Sequence, residues 1–387
     1  MDTRSEDRLF TRDVALILIA QTAFGFGWSL YLLSPKFQAV VLGAGPDQFG
    51  ITTTVSGLMG LCTVPFAAGG IDRLGRKLFF RVGALCVLLV SIGYFFVDRM
   101  GPLLFMLQGL NTAAFVLAFN ASAALIADWA PPARLGQAIG WLGAANVCMN
   151  AVATAAAEPL ADRYGWHSMF IMGVVASCAA LALSLFVREA PQRPISTSPQ
   201  GTSKLASASA LLWRPLVVSA LAGLVFCAVF IFVQPHALAS GAREVRMFFI
   251  GFTASAVASR LVWGGLGDRR GHREVSLGAL LLYAVAALMC VWLKPGLLWM
   301  YGLVFGLGHG ILYPTLNALL LARLPASRRG MGMALYNGAF NLGMTCGGLG
   351  WGVLAARYGY AVLFMTATVV ALLATLPLLS APKMAES

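Results

Sequence analysis

Residues 264–273 read Gly264-Gly265-Leu266-Gly267-Asp268-Arg269-Arg270-Gly271-His272-Arg273, and residues 69–77 read Gly69-Gly70-Ile71-Asp72-Arg73-Leu74-Gly75-Arg76-Lys77. Each is a cluster of glycines, one carboxylate and several bases set between two long apolar runs. Glycine permits a tight turn and close helix approach, while Asp72 or Asp268 can pair with bases or cap the neighbouring helix. Outward from these clusters, apolar runs fall at 14–33, 49–70, 78–97, 102–126, 137–160, 167–187, 213–235, 246–267, 274–293, 297–321, 331–354 and 360–380. A helix crosses roughly 30 Å of hydrocarbon with about 20 residues at 1.5 Å each. Twelve crossings therefore need roughly 240 residues, and a chain of 387 has room for them with short connections. The expected fold is an all-α membrane protein with twelve transmembrane helices.

Composition agrees. Apolar types make up 59% of the chain and charged types 11%, against about a quarter charged in soluble domains. That deficit excludes a soluble dehydrogenase, a nucleic-acid-binding domain and a disordered regulator, so no nucleic-acid partner is expected despite a net charge of +12. The basicity is a matter of topology. With both termini in the cytoplasm, the inner segments hold nineteen cationic residues and the outer segments seven, and the remaining one, Arg260, lies inside a helix. All seven cysteines (Cys62, Cys86, Cys148, Cys178, Cys227, Cys290, Cys346) sit in apolar runs with no pair at metal-ligand spacing, which reads as small buried hydrophobes. No metal and no cofactor are expected. Seven charged residues between Asp2 and Asp13 precede the first run and no small-residue cleavage site follows it, so that helix is expected to stay in the protein. Four histidines and scattered acids provide no nucleophile with a base, no paired carboxylates and no metal cluster, so no enzyme is expected.

The polar stretch from Arg188 to Leu212, rich in Pro, Ser, Gln and Thr, has the composition of a flexible cytoplasmic linker. It divides the chain into an N-terminal six-helix bundle (1–187), the linker (188–212) and a C-terminal six-helix bundle (213–387). The halves repeat at an offset of 194: Leu103-Leu104-Phe105-Met106 matches Leu297-Leu298-Trp299-Met300, Pro131 matches Pro325, Arg134 matches Arg328, Gly136 matches Gly330, and Arg163-Tyr164-Gly165-Trp166 matches Arg357-Tyr358-Gly359-Tyr360. Two parallel six-helix repeats are an architecture of secondary transporters.

The two glycine-rich clusters resemble the cytoplasmic loop signature of the major facilitator superfamily: Gly, three residues, Asp, a base, any residue, Gly, then two bases. The second copy departs at His272, and the first has Ala68 where the leading Gly is expected. Each copy follows an even-numbered helix on the expected inner side, which extends the resemblance over the whole chain. The resemblance implies two pseudo-symmetric six-helix bundles (MFS fold) and a gate on the cytoplasmic face. Asp72, Arg73, Gly75, Arg76 and Lys77 would serve one copy of it, and Gly264, Asp268, Arg269, Gly271 and Arg273 the other. Positive-inside anchoring alone explains the bases but not the Asp and Gly spacing. Two other family patterns depart here. Facilitator antiporters often carry an Arg three residues before Gln-Gly in helix 4, where this chain has Phe105 before Gln108-Gly109. The helix 5 pattern ending in Gly-Pro reads Ala157-Glu158-Pro159-Leu160-Ala161. Both departures point away from a standard multidrug antiporter. The segment from His309 to Asn317, with Tyr336, Asn337 and Asn341, resembles a small bacterial exporter branch related to sugar-efflux and opine-metallophore exporters.

A charge inside the bilayer costs several kcal/mol, so an intramembrane ionisable group is a functional candidate by default. Arg260 stands eight residues before Asp268, roughly 12 Å above the inner boundary, and no acidic residue occupies the central stretch of any helix. Water, carbonyls or a visiting anion must meet its charge. An Arg at this place in helix 8 also resembles the monocarboxylate and oxalate-formate branches, where it is implicated in binding a carboxylate. The expectation is that Arg260 holds an anionic group through two parallel hydrogen bonds; the alternative is an Arg bonded to helix ends. His309 (roughly 18 Å below the outer face), Asn146 and Asn341 (roughly 14 and 15 Å above the inner face) share its level. Gln21 lies near that layer, Trp28 and Tyr31 stand higher, and Tyr313 is one turn below His309. With Asn337 these complete the expected solute site, against an alternative in which the amides are interhelical glue and Trp28 is packing.

Glu158, roughly 32 Å from the inner face, belongs to the outer rim. It reads either as an outer-gate or proton-responsive group or as a carboxylate capping a helix end and pairing with Arg163. Asp128 reads as a partner of Arg134 or Arg323, or as a proton carrier. His309 is a further candidate for proton coupling, because imidazole titrates near physiological pH. The expected function is alternating-access secondary transport of a small, carboxylate-bearing or otherwise anionic metabolite, coupled to protons, by a monomer in the bacterial inner membrane. The rivals are an efflux pump for sugars, drugs or amphipathic compounds, and a non-transporting membrane sensor or scaffold of the same fold.

Overall fold

The computed structural model describes residues 11–131, 134–189, 205–263, 265–325 and 329–380; within them, the side chains of Ala68, Asp72, Gly136, residues 205–211 and Gly330 are not described. Helices dominate, and no strand occurs among the described residues. The chain divides into two compact units, Met1–Gly43 with Val55–Ile195, and Ala44–Thr54 with Ser196–Ser387.

Unit 1 contains α1 (Arg12–Ser29), α2 (Ser34–Val40), most of α3 (Pro46–Leu74), α4 (Arg76–Gly93), α5 (Pro102–Trp129), α6 (Leu135–Tyr164) and α7 (Trp166–Phe186). Thr11 opens α1 by accepting the Val14 amide on its hydroxyl at 3.3 Å, which satisfies one of the free donors at the helix start. α1 continues through a tight turn at Leu30–Leu33 into α2, so Arg12–Val40 is a single crossing. Unit 2 takes in the first turns of α3, where Thr54 Oγ1 donates to the Thr345 carbonyl at 3.0 Å. It then holds α8 (Leu205–Phe226), α9 (Phe232–Ala239), α10 (Arg246–Trp263), α11 (Leu266–Arg270), α12 (His272–Val291), α13 (Leu298–Leu321), α14 (Arg329–Leu373) and α15 (Leu376–Leu379). A π-helical turn at Cys227–Ile231 joins α8 to α9 within one crossing.

Ten segments among the described residues are long and apolar enough to span a bilayer, against twelve expected. Both differences have a physical reason. α14 has 45 residues, roughly 68 Å of helix and more than twice the hydrocarbon thickness, and it is broken at Gly359 (φ 83°, ψ 167°) into two crossings. The matching Gly165 separates α6 from α7 with nearly the same angles, φ 85° and ψ 163°. An L side chain rarely adopts that conformation, so the repeat read at an offset of 194 is a repeat of backbone turns. The other crossing is α10, whose eighteen residues carry both Arg246 and Arg260 and are diluted by them.

α10 and α13 pack at backbone contact. Gly302, Gly306 and Gly310 recur every four residues on α13, and a Cβ on Gly306 would overlap the Phe252 carbonyl oxygen on α10. In lipid, helices gain little from apolar burial and associate through close packing of small residues. Gly306→Val is therefore expected to destabilise unit 2 by at least about 1–3 kcal/mol, the usual cost of forcing volume into a tight contact. A lowered melting temperature in detergent checks this, and an unchanged one would show that the two helices can separate freely.

Candidate functional site

In unit 2 the expected solute residues Arg260, His309, Tyr313 and Asn337 come together. Arg260, in the last turn of α10, is partly buried and lies within electrostatic reach of Tyr313 and His309. It makes no ion pair among the described residues. His309 and Tyr313 are one turn apart on α13, with ring centroids 5.6 Å apart. The His309 Nδ1 shares a 2.6 Å hydrogen bond with the Tyr283 hydroxyl of α12, and the Tyr313 hydroxyl donates to Asn337 Oδ1 of α14 at 2.5 Å. The Tyr336 hydroxyl donates to the Tyr313 carbonyl at 3.0 Å. That carbonyl lies one residue before Pro314, yet the proline that removes a donor is Pro314's own nitrogen, which leaves the Gly310 carbonyl without its usual partner and marks a place where α13 can bend. Aromatic rings surround the imidazole: Phe226 at 4.8 Å, Phe252 at 5.7 Å and Phe340 at 6.1 Å between centroids. The cluster is thus a cation and polar groups backed by apolar, aromatic side chains. Asn341 is exposed, and its amide donates to the Asn337 carbonyl one turn back.

In unit 1 the remaining members fall into separate contacts. Gln21 is fully buried in α1; its amide reaches Asn146 of α6 at 3.4 Å, and its carbonyl accepts from Ser122 of α5 at 2.8 Å. This three-helix link is the interhelical bonding that was the alternative for the amides. Trp28 donates through Nε1 to the Asn111 carbonyl at 3.1 Å and packs on Phe115 at 4.5 Å. Tyr31 is buried against Tyr94 at 4.8 Å.

Glu158 pairs with Lys36 of α2, Nζ to Oε1 at 2.7 Å, and not with Arg163, which is exposed. Lys36 also meets Asp162 at 3.0 Å. Lys36 and Glu158 are 3% and 0% exposed, which makes this a buried ion pair rather than a rim contact. Lys36 is not among the expected site residues; the available signal is a lone base after Ser34-Pro35 in an otherwise apolar stretch. Asp128 pairs with Arg76, not with Arg134, which is exposed. The reason is reach: Arg76 opens α4 beside the C-terminal end of α5 and also donates to the Ala124 carbonyl at 3.0 Å.

The two loop signatures tie helix ends together. Gly75 (φ 104°) turns the chain into α4, where the Lys77 amide donates to Glu189 at 2.7 Å and Lys77 Nζ to the Leu185 carbonyl at 3.1 Å; Arg73 is exposed. Gly271 (φ 86°) does the same before α12, where Arg273 donates to the carbonyls of Leu378 and Leu379 at 2.8 and 2.9 Å. Cations on the last carbonyls of a helix complement its negative end. Asp268 lies 3.3 Å from His272, and Arg269 is exposed. Gly264 and the Asp72 side chain lie outside what is described.

Long apolar helices in two repeated sets, with ionisable groups facing polar and aromatic partners, define a polytopic α-helical membrane transporter. The profile of the Major Facilitator Superfamily matches residues 17–242 and 235–386, and the chain belongs to that family. It is a transporter and not an enzyme. The chain is 27% identical over 364 residues to the multi-drug resistance efflux pump PmrA of Streptococcus pneumoniae, covering 89% of this chain and 90% of that one. It is 27% identical over 342 residues to the multidrug resistance protein MdtG of Escherichia coli, covering 83% and 81%. In fold it is similar to the solved D-xylose-proton symporter, with TM-score 0.78 and 13% identity over 95% of this chain and 96% of that one. It is likewise similar to the nucleoside transporter NupG, with TM-score 0.74 and 12% identity over 96% and 99%.

Proposed function

We propose that the protein exports a small amphipathic organic solute bearing an anionic group across the bacterial inner membrane, by alternating access and coupled to protons. One observation carries the reading: Arg260, in the last turn of α10, lies within electrostatic reach of Tyr313 and His309 with no carboxylate paired to it among the described residues. A guanidinium held there is costly unless an anion meets it. The direction, export, draws on the name of the efflux pump PmrA, and the cytoplasmic placement of both termini on the nineteen-to-seven cation bias. Of the candidates for proton coupling, Glu158 and Asp128 are engaged in ion pairs, whereas His309 is in none among the described residues and hydrogen-bonds Tyr283.

A second reading, efflux of neutral amphipathic drugs, is favoured by the rings around His309 and by the relatives' names, and disfavoured by Phe105 and the Ala157–Ala161 departures from the antiporter patterns. Proteoliposomes of the purified protein separate the two. Under an imposed pH gradient they are expected to accumulate radiolabelled aryl-substituted carboxylic acids and not the matching uncharged amides. Accumulation of the amides alone would replace the anion by a neutral amphipath, and indifference to the pH gradient would replace coupled transport by facilitated diffusion.

A further inference from the structure

Asn317 is left unused by the reading above. It stands on α13 four residues after Tyr313 and eight after His309, about 6 Å per step along the axis. Its Oδ1 is buried and accepts no hydrogen bond among the described residues. Buried acceptors are nearly always satisfied, so an orphan calls for a donor from elsewhere.

The register of two helices sets Asn317 about one helical turn beyond Arg260. Phe248 lies against Gly302, Phe252 against Gly306 and Ala256 against Gly310, so α10 and α13 run parallel with a constant shift of 54 residues. Continued inward, that shift sets Arg260 opposite Pro314 and Trp263 opposite Asn317. Around α13, Asn317 follows Gly310 by seven residues, about two turns, and so falls on the side that faces α10. A donor and an acceptor that each lack a partner among the described residues therefore stand about one helical turn apart along the two helices.

We propose that Asn317 is a second anchor of the solute, and that the solute is a hydroxy acid with an apolar body. Its acid group would meet Arg260 and its hydroxyl would donate to Asn317 Oδ1. An ammonium donor fits less well, because the Arg260 charge would repel it and no carboxylate is paired there to offset that. The inference rests on the anion reading of Arg260.

Isothermal titration of the purified full-length protein in detergent with 3-phenyllactate and with 3-phenylpropionate, which lacks only the hydroxyl, tests it. Wild type is expected to bind phenyllactate about tenfold more tightly, the worth of one added hydrogen bond to an otherwise unpaired acceptor. Asn317→Leu and Asn317→Ala should bind the two acids alike, and their retained affinity for phenylpropionate shows that they fold; Arg260→Ala should bind neither. Equal binding of both acids by wild type, or a preference that survives both Asn317 variants, overturns the role of Asn317 while leaving the Arg260 reading intact. Binding that survives Arg260→Ala, or no binding of either acid by wild type, overturns both.

Discussion

Replacing Arg260 by alanine is expected to lower transport of an anionic solute by about 100-fold or more while leaving the ligand-free protein as stable or more stable than wild type. Two charge-assisted hydrogen bonds to a carboxylate are each worth about 1.5–3 kcal/mol, and about 1.4 kcal/mol is a factor of ten. The opposite sign for stability follows from the missing partner. A guanidinium at membrane depth costs about 2.5–3.5 kcal/mol to insert, and no ion pair is lost when it is removed. Arg260→Lys keeps the charge but not the fork, and an intermediate loss is expected. Solute flux into proteoliposomes and melting in detergent give the two readouts. A variant that melts early and still transports would make Arg260 a structural residue bonded to helix ends.

Lys36→Met should produce the largest loss of stability of any single side-chain truncation in unit 1, about 3–5 kcal/mol, because it leaves Glu158 buried and charged without its ammonium. Glu158→Gln should cost less, since Lys36 keeps the Asp162 carboxylate at 3.0 Å. The double variant Lys36→Met with Glu158→Leu should regain most of the loss, as replacing a whole buried pair by apolar groups is often neutral. Thermal melting of the three variants checks the order. Equal melting of Lys36→Met and wild type would mean that water reaches the pair. If the double variant transports with unchanged pH dependence, Glu158 is not the proton carrier.

The Lys36–Glu158 pair also shows where reading along the chain stops. Counting residues sets Glu158 towards the C-terminal end of α6, yet its partner lies 122 positions away on α2, beyond the reach of any count along one helix. Asp128, at the C-terminal end of α5, likewise pairs with Arg76 of α4 and not with Arg134. Gln21 and Asn146, which counting sets near one layer, are joined by a hydrogen bond across 125 positions. Depth is legible because an α-helix advances 1.5 Å per residue whatever surrounds it.

What the amino-acid order determined by itself is therefore axial: the apolar runs, the loop signatures, the repeat that matches Gly165 with Gly359, and an arginine stranded among apolar residues. What only the tertiary structure decided is lateral: that Tyr283 and Asn337 hold His309 and Tyr313, that Arg76 takes Asp128, and that α10 and α13 touch along Gly302, Gly306 and Gly310. In a soluble helix the polar face betrays the buried one. Here lipid and protein interior are equally apolar, so a membrane helix carries little pattern to say which neighbour each face will meet.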